Sequence, residues 1–139
     1  VAQSAGETNH PTSSACREFL SAVLTICHRA VITGQMRDEW NRHQSRYTRK
    51  WQRSMVARKK IRYDINPDNL SLNLDSFEQK QRESVEKDLL LLEAAFAADR
   101  EIVTRDNALY LALGSTLEGQ KIRKQITWHN PESDGTAKL

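Results

Sequence analysis

The chain has few of the residues that mark several common classes of protein. Its 139 residues include five glycines, none in a phosphate-binding loop, and two cysteines, which cannot make a disulfide framework and are expected to be buried thiols. No apolar run approaches the roughly 18 residues of a membrane span. The four histidines are scattered, which argues against histidine catalysis. These absences leave a single cytoplasmic domain with no membrane partner as the expectation, since the length suits one core.

Positive charge is concentrated in one segment. The net charge is +3, but the segment from Arg37 to Arg62 carries +8 and the remainder −5. Its ten basic residues are Arg37, Arg42, Arg46, Arg49, Lys50, Arg53, Arg58, Lys59, Lys60 and Arg62. Such clustering is typical of a protein that binds a phosphate backbone, and the alternative is the solvated face of a long helix.

The first half of the chain alternates helical and β-rich patterns. Residues 1–11 read as the tail of a strand that leads into a polar loop. Ser13 or Ser14 can cap a helix with an apolar face, and residues 30–33 predict a short strand that ends at Gly34. A single long helix is then predicted from Gln35 to about Lys60, because its large apolar residues recur at helical spacing and should face the core: Met36, Trp40, Tyr47, Trp51 and Met55.

The second half continues this alternation. Residues 61–75 read as a loop, and Ser76 with Gln79 forms a capping box at the start of a helix that includes Phe96. A strand over residues 101–104, a helix over 107–113 ended by Gly114 and a last strand over 126–128 follow. We therefore predict a helix-rich α/β fold with a parallel sheet, at whose carboxyl edge functional groups gather.

Three acidic residues are candidates for that edge. Glu39 follows the first predicted strand, Asp88 opens an apolar helical segment, and Asp106 comes directly after the strand over residues 101–104. Carboxylates that converge repel one another unless a cation lies between them, and Mg²⁺ or Mn²⁺ suits oxygen ligands. Each acid also has a structural alternative: Asp106 as a helix cap, Asp88 as an anion at a helix start, and Glu39 as an exposed helix residue.

These residues resemble part of a known family. The segments 87–95 and 98–106 are similar to the second half of a PIN domain, in which an acid opens an alanine-rich apolar helix and a strand ends in Thr or Ser, any residue, and Asp. Val31-Ile32-Thr33 followed by Glu39, and the closing segment 126–131, extend the similarity. The resemblance implies a three-layer α/β/α domain with a central parallel sheet.

The resemblance also implies a metal-dependent endoribonuclease. Asp88, Asp106 and Glu39 would hold Mg²⁺ or Mn²⁺, and Thr104 would orient a carboxylate or a water. RNA would be held by one face of the predicted long helix, formed by Arg42, Arg46, Arg49 and Arg53. Small PIN proteins include toxins, so an antitoxin partner and a homodimer are implied as possibilities.

One family feature has no counterpart in this chain. PIN domains begin with a strand that ends in a metal-binding Asp, and no Asp occurs before Glu7. The expectation is that this residue lies upstream of Val1 and that the domain is truncated. Two other classes stay open: a non-catalytic RNA-binding module that keeps the basic helix, and an interaction protein whose basic helix docks an acidic partner.

Overall fold

Seven α-helices and four short strands form the regular structure of residues 1–67 and 69–139, the residues that the computed structural model describes. The helices are α1 (Pro11–Thr25), α2 (Gly34–His43), α3 (Arg46–Ala57), α4 (Gln79–Lys87), α5 (Leu89–Ala97), α6 (Ala108–Leu113) and α7 (Leu117–Lys124). The strands are β1 (Ala30–Val31), β2 (Ile61–Arg62), β3 (Glu101–Val103) and β4 (Thr127–His129), and Leu74–Ser76 form one turn of 3₁₀-helix.

The helix-rich α/β class predicted from the sequence is confirmed. Helices take up 52% of the chain, and the strands form two short parallel pairs, β1 with β2 and β3 with β4. The three-layer PIN-like arrangement stays a prediction. The predicted loop over residues 61–75 contains β2, and its residue Asp68 lies outside the described residues. In the described part of the chain, no helix is both long and apolar enough to cross a membrane.

The chain divides into two compact units. Unit 1 comprises residues 1–65 and 129–139, and unit 2 comprises residues 66–128. Unit 1 contains 13 basic and seven acidic residues, a formal charge of +6, whereas unit 2 carries −3. The positive charge of the protein therefore belongs to unit 1.

The core of unit 1 lies between α1 and α3. The predicted apolar face of α1 is buried, with Cys16 and Phe19 at 0% and 2% exposure, and Trp51 and Met55 pack on it from α3. Trp51 Nε1 donates a 2.6 Å hydrogen bond to Leu20 O, so its polar atom is satisfied inside the core. The prediction that the large residues of α3 face the core is confirmed.

Several local predictions for unit 1 were wrong. The cap of α1 is His10, whose Nδ1 accepts from Thr12 N with Pro11 in the first turn, so neither Ser13 nor Ser14 is the cap. Residues 1–5 form a turn, closed by Ala5 N donating to Val1 O, and are not the tail of a strand. Cys27 is exposed because it lies beyond the end of α1.

The predicted long helix is interrupted between α2 and α3. Ser45 caps α3, with Oγ accepting from Thr48 N at 3.1 Å, and its own N–H donates to Ala2 O at 3.2 Å. Ser45 Oγ also donates to Ala5 O at 2.6 Å, and Thr48 Oγ1 donates to Ala2 O at 2.7 Å. The N-terminal turn therefore takes hydrogen bonds that a continuous helix would have used within itself.

The carboxyl end of α1 is held by two basic residues from the segment after α3. The Lys60 ammonium donates to Val23 O at 2.7 Å, to Leu24 O at 2.8 Å and to Ile26 O. Arg58 donates to Leu24 O at 3.1 Å. Carbonyl groups at a helix end lack partners within the helix and carry partial negative charge, so both cations stabilise α1. The same segment supplies β2, which pairs with β1 in the register Ala30 to Ile61.

We expect Lys60→Met to destabilise the protein by about 1–3 kcal/mol, because half-buried carbonyls lose a charged donor. Lys59→Met is the matched control, because Lys59 is exposed. Its positive φ of 55° is equally unfavourable for Lys and for Met, so the substitution leaves the backbone strain unchanged. Urea unfolding monitored by tryptophan fluorescence measures the difference. Equal stability of the two variants would contradict the assigned role of Lys60.

Unit 2 packs four helices around an apolar core. Val85 of α4, Leu92 of α5 and Leu113 of α6 are all fully buried, together with Ile102 of β3 at 1% exposure. The helix predicted to run from Ser76 past Phe96 is divided at Asp88 into α4 and α5, and Glu78 occupies the N-cap position of α4 in place of Ser76. The predicted strand over residues 101–104 and helix over 107–113 are confirmed to within one residue, and α7 was not predicted.

Candidate nucleic-acid interface

The exposed face of α3 carries four basic residues. Arg46, Arg49, Lys50 and Arg53 are all exposed, at positions three, four and seven apart, while Thr48, Trp51 and Met55 on the opposite face are buried. A helix that buries one face must turn the other to solvent. The packing of Trp51 and Met55 on α1 therefore fixes the direction in which the arginines point.

Several basic residues of this segment have structural partners. Lys60 and Arg58 hold the end of α1, and Lys50 lies 3.8 Å from Glu7 Oε1. Arg37 stacks on the Tyr63 ring with its guanidinium carbon 5.6 Å from the ring centre. These contacts reduce the number of cations that are available to a ligand.

Arg62 pairs with Asp64 and is also engaged. Its Nε lies 3.4 Å from Asp64 Oδ1, and the hydrogen bond from the guanidinium holds the pKa of the Asp64 carboxyl below its usual range. Arg46, Arg49 and Arg53 differ from these residues, because none of them pairs with an acidic side chain in the described residues. Three cations on one helix face are thus left to bind an anion.

The predicted RNA-binding set is brought together only in part. Arg46, Arg49 and Arg53 lie on α3, but Arg42 lies on the last turn of α2, where its Nε donates to Asp38 O at 3.4 Å. The expectation that all four arginines lie on one helix was therefore wrong. The cause is the interruption of the helix at Ser45, which leaves Arg42 on α2 and the other three on α3.

A groove runs beside these arginines, between the end of α2 and the exposed face of α3. Its volume is about 560 Å³, within the range of about 300–1,000 Å³ that is usual for ligand sites. It is lined by amides, arginines and small apolar side chains: Asn41, Gln44, Gln52, Arg49, Arg53, Val56 and Ala57. Val56 is 48% exposed, so the groove offers apolar surface beside its cations.

Gln44 is one of the residues that line this groove. It is the C-cap of α2, and its backbone N–H donates to Trp40 O. Its Oε1 is shielded from solvent and accepts no hydrogen bond from residues 1–67 or 69–139. Buried polar atoms are nearly always paired in native proteins, with protein groups or with ordered water.

The candidate acidic residues lie in different parts of the chain. Glu39 is exposed in the middle of α2 and belongs to unit 1, whereas Asp88 and Asp106 belong to unit 2. Asp88 is half-buried and occupies the N-cap position of α5 without capping it through its side chain. Asp88 precedes an apolar helix and Asp106 follows a strand, as the sequence predicted.

Thr104 and Asp106 are joined to each other by local hydrogen bonds. Asp106 N donates to Thr104 Oγ1 at 3.0 Å, and Asp106 Oδ1 accepts from Ala108 N at 2.8 Å. Ala108 is the first residue of α6, so Asp106 satisfies one of the N–H groups that a helix start leaves without a partner. The helix-capping alternative for Asp106 thus has a direct structural basis.

The predicted divalent-ion site requires these acids to meet. Such a site needs several oxygen ligands around one point. Throughout residues 1–67 and 69–139, no group of three or more His, Cys, Asp or Glu side chains is placed to hold a metal ion. Metal binding by Glu39, Asp88 and Asp106 stays a prediction of the resemblance, and no catalytic step is assigned to it.

Comparison with known proteins gives no relative from which a role for this site could be transferred. No protein-family model, no curated protein and no solved structure matches the chain. The resemblance to PIN domains accordingly rests on the residues quoted above.

The groove amides were not found by reading the sequence. Asn41, Gln44 and Gln52 are uncharged, and neither their spacing nor their type matches a known motif. One signal was available in the sequence. Gln52 lies three residues after Arg49, so on a helix the two side chains lie close to the same face.

Two substitutions at Asp106 separate its capping role from a catalytic one. Asp106→Asn keeps the oxygen that accepts from Ala108 N, whereas Asp106→Ala removes it and should cost about 1 kcal/mol. We expect thermal unfolding to show a lower Tm for the Ala variant only. Equal destabilisation by both variants would show that the carboxylate charge, and not the cap, stabilises this turn.

Proposed function

We propose that the protein binds RNA through unit 1, with the exposed face of α3 as the contact surface. The observation that carries the proposal is the set of three arginines, Arg46, Arg49 and Arg53, which project from one helix face without acidic partners in the described residues. A phosphate backbone is the ligand that such a row of cations suits. A cytoplasmic location is part of the same proposal.

The arrangement of charge supports a contact with an extended polyanion. Unit 1 carries +6, and arginine is better suited than lysine to phosphate because its planar guanidinium donates two parallel hydrogen bonds. The arginines at positions 46, 49 and 53 extend along α3 over about 10 Å, since each residue rises 1.5 Å along a helix. That distance lets them contact more than one phosphate of a strand.

We expect Arg46, Arg49 and Arg53 all changed to Gln to weaken binding of single-stranded RNA by one to two orders of magnitude at about 0.1 M salt. The slope of log affinity against log salt should become flatter by about 2, because each lost phosphate contact removes about 0.7. Fluorescence anisotropy with a labelled RNA of about ten nucleotides measures both quantities.

The matched control removes the same charge from unit 2, at the exposed residues Lys80, Lys87 and Lys121, each changed to Gln. This variant should keep the affinity and the salt slope of the unaltered protein. An equal loss in both variants would mean that only the net charge matters, and no loss in either would overturn the RNA-binding proposal.

The second candidate is the metal-dependent endoribonuclease of the PIN resemblance, within a three-layer PIN-like domain. It is favoured by the positions of Asp88 at the start of α5 and of Asp106 after β3, with Thr104 bonded to Asp106. The antitoxin partner and the homodimer belong to this candidate alone. It ranks second because the described acids do not assemble three metal ligands.

Cleavage of a labelled single-stranded RNA in Mg²⁺, Mn²⁺ or EDTA decides between the two candidates. From the binding proposal we expect RNA to be bound equally well in EDTA and to remain intact in either metal. Cleavage that requires metal and disappears in both Asp88→Asn and Asp106→Asn would establish the ribonuclease instead. Arg46→Gln with intact acids is the control, because it should weaken binding without removing a metal ligand.

A further inference from the structure

We infer that the protein binds RNA as a single strand and that one unpaired base stacks on the ring of Tyr63. This inference rests on the proposed RNA-binding function and adds to it the form of the RNA and a contact beyond the arginines of α3. Tyr63 comes directly after β2 in unit 1 and is 45% exposed. Its ring is therefore in contact with solvent on the unit that carries the positive charge.

Arg37 of α2 holds this ring from one side. Its guanidinium carbon lies over the ring, 5.6 Å from the centre. The guanidinium covers one face, so solvent reaches the ring at its opposite face and its edge. Proteins that bind single-stranded RNA stack unpaired bases on aromatic rings, and a ring that is already ordered loses less freedom when a base binds.

Helix α2 connects the Tyr63 ring with the groove. Arg37 and Asn41 are four residues apart on α2, so their side chains lie on the same face of the helix, about 6 Å apart along its axis. Arg37 contacts Tyr63, and Asn41 lines the groove that also contains Arg49 and Arg53. The ring and the cations are thus reached from successive turns of one helix face, and a short stretch of RNA can contact both.

The stacking ring favours a single strand over a duplex. The phosphates of either form suit the arginines, so the arginines alone do not distinguish them. In a duplex each base is paired and stacked between its neighbours, whereas the bases of a single strand can be turned outward onto a protein ring. Val56 in the groove is 48% exposed and adds apolar surface that phosphates could not use.

The test measures the affinity of a labelled single-stranded RNA of about ten nucleotides by fluorescence anisotropy, for the unaltered protein and for Tyr63→Ala. We expect Tyr63→Ala to weaken binding about tenfold, as the loss of one base stacked on an aromatic ring would give. Tyr63→Phe keeps the ring, so it should bind the RNA as the unaltered protein does.

Tyr110→Ala is the matched control for the loss of a tyrosine ring. Tyr110 is 37% exposed and also has an arginine over its ring, with the guanidinium carbon of Arg123 at 4.4 Å from the centre. It belongs to unit 2, which lacks the positive charge of unit 1. This variant should keep the affinity of the unaltered protein.

Two further ligands separate base stacking from phosphate binding. A strand of abasic ribose phosphate of the same length has the charge of the RNA but no bases, so Tyr63→Ala should leave its affinity unchanged. A duplex of the same sequence offers no unpaired base in its interior. It should likewise bind the unaltered protein and Tyr63→Ala equally well.

The tyrosine ring protons give an independent measure of the same contact. The chain has three tyrosines, so a protein with isotope label in tyrosine alone gives a simple NMR spectrum. A base stacked on a ring should shift the protons of that ring upfield when RNA is added. The shifted signal should be absent from the spectrum of Tyr63→Phe.

The results distinguish a failure of this inference from a failure of the proposed function. Unchanged affinity in Tyr63→Ala, an equal loss for the RNA and the abasic strand, an equal loss in Tyr110→Ala, or an unshifted Tyr63 signal would each overturn the inference. Weaker binding by Arg49→Gln in the same experiments would leave RNA binding intact. Affinity that is unchanged in both Arg49→Gln and Arg53→Gln would remove the proposed function itself.

Discussion

The packing of Trp51 on α1 is the interaction on which the arrangement of unit 1 depends. The indole is 5% exposed, and its N–H is bonded to Leu20 O at 2.6 Å, so α3 cannot rotate about its axis without burying an unpaired donor. The arginines on the other face are thereby directed to solvent. The segment after α3 returns to the same helix, where Lys60 binds the terminal carbonyls of α1. Basic residues that are close in sequence therefore have different roles: some stabilise the fold, and others face solvent, where they can bind a ligand.

Reading the sequence was sufficient for features that depend on neighbours along the chain. Helical spacing predicted that Trp51 and Met55 face the core, and β3 and α6 were predicted to within one residue. It failed at the break between α2 and α3, because that break depends on bonds from Ser45 to Ala2 and Ala5, about forty positions away. The local mark of the break is Ser45 itself, a preferred helix cap, and it is ambiguous because a serine is also tolerated within a helix at a cost of only about 0.5 kcal/mol.

The candidate site shows the same contrast between local features, which the sequence predicts, and long-range contacts, which it does not. The sequence placed Asp88 at the start of an apolar helix and Asp106 after a strand, and both positions follow from local patterns. Whether acids converge is a tertiary property, and no spacing along the chain measures it. The hydrogen bonds of Asp106 with Thr104 and Ala108 already explain the presence of Thr104 and Asp106 on structural grounds. An acid at the end of a strand is therefore a weaker sign of catalysis than three acids around one point.

The groove beside the arginines is a consequence of the helix break. A continuous helix from Gln35 to Lys60 would have placed Gln44 inside one helix, with its backbone carbonyl bonded to the next turn and no second axis against which a groove could form. Because Ser45 begins a new helix, α2 ends at His43 and Gln44 becomes its C-cap. Gln44 then lines the same groove as Arg49 and Arg53. The contacts of Ala2 and Ala5 with Ser45 and Thr48 therefore stabilise the break between α2 and α3 and, through it, the shape of the surface that we propose binds RNA.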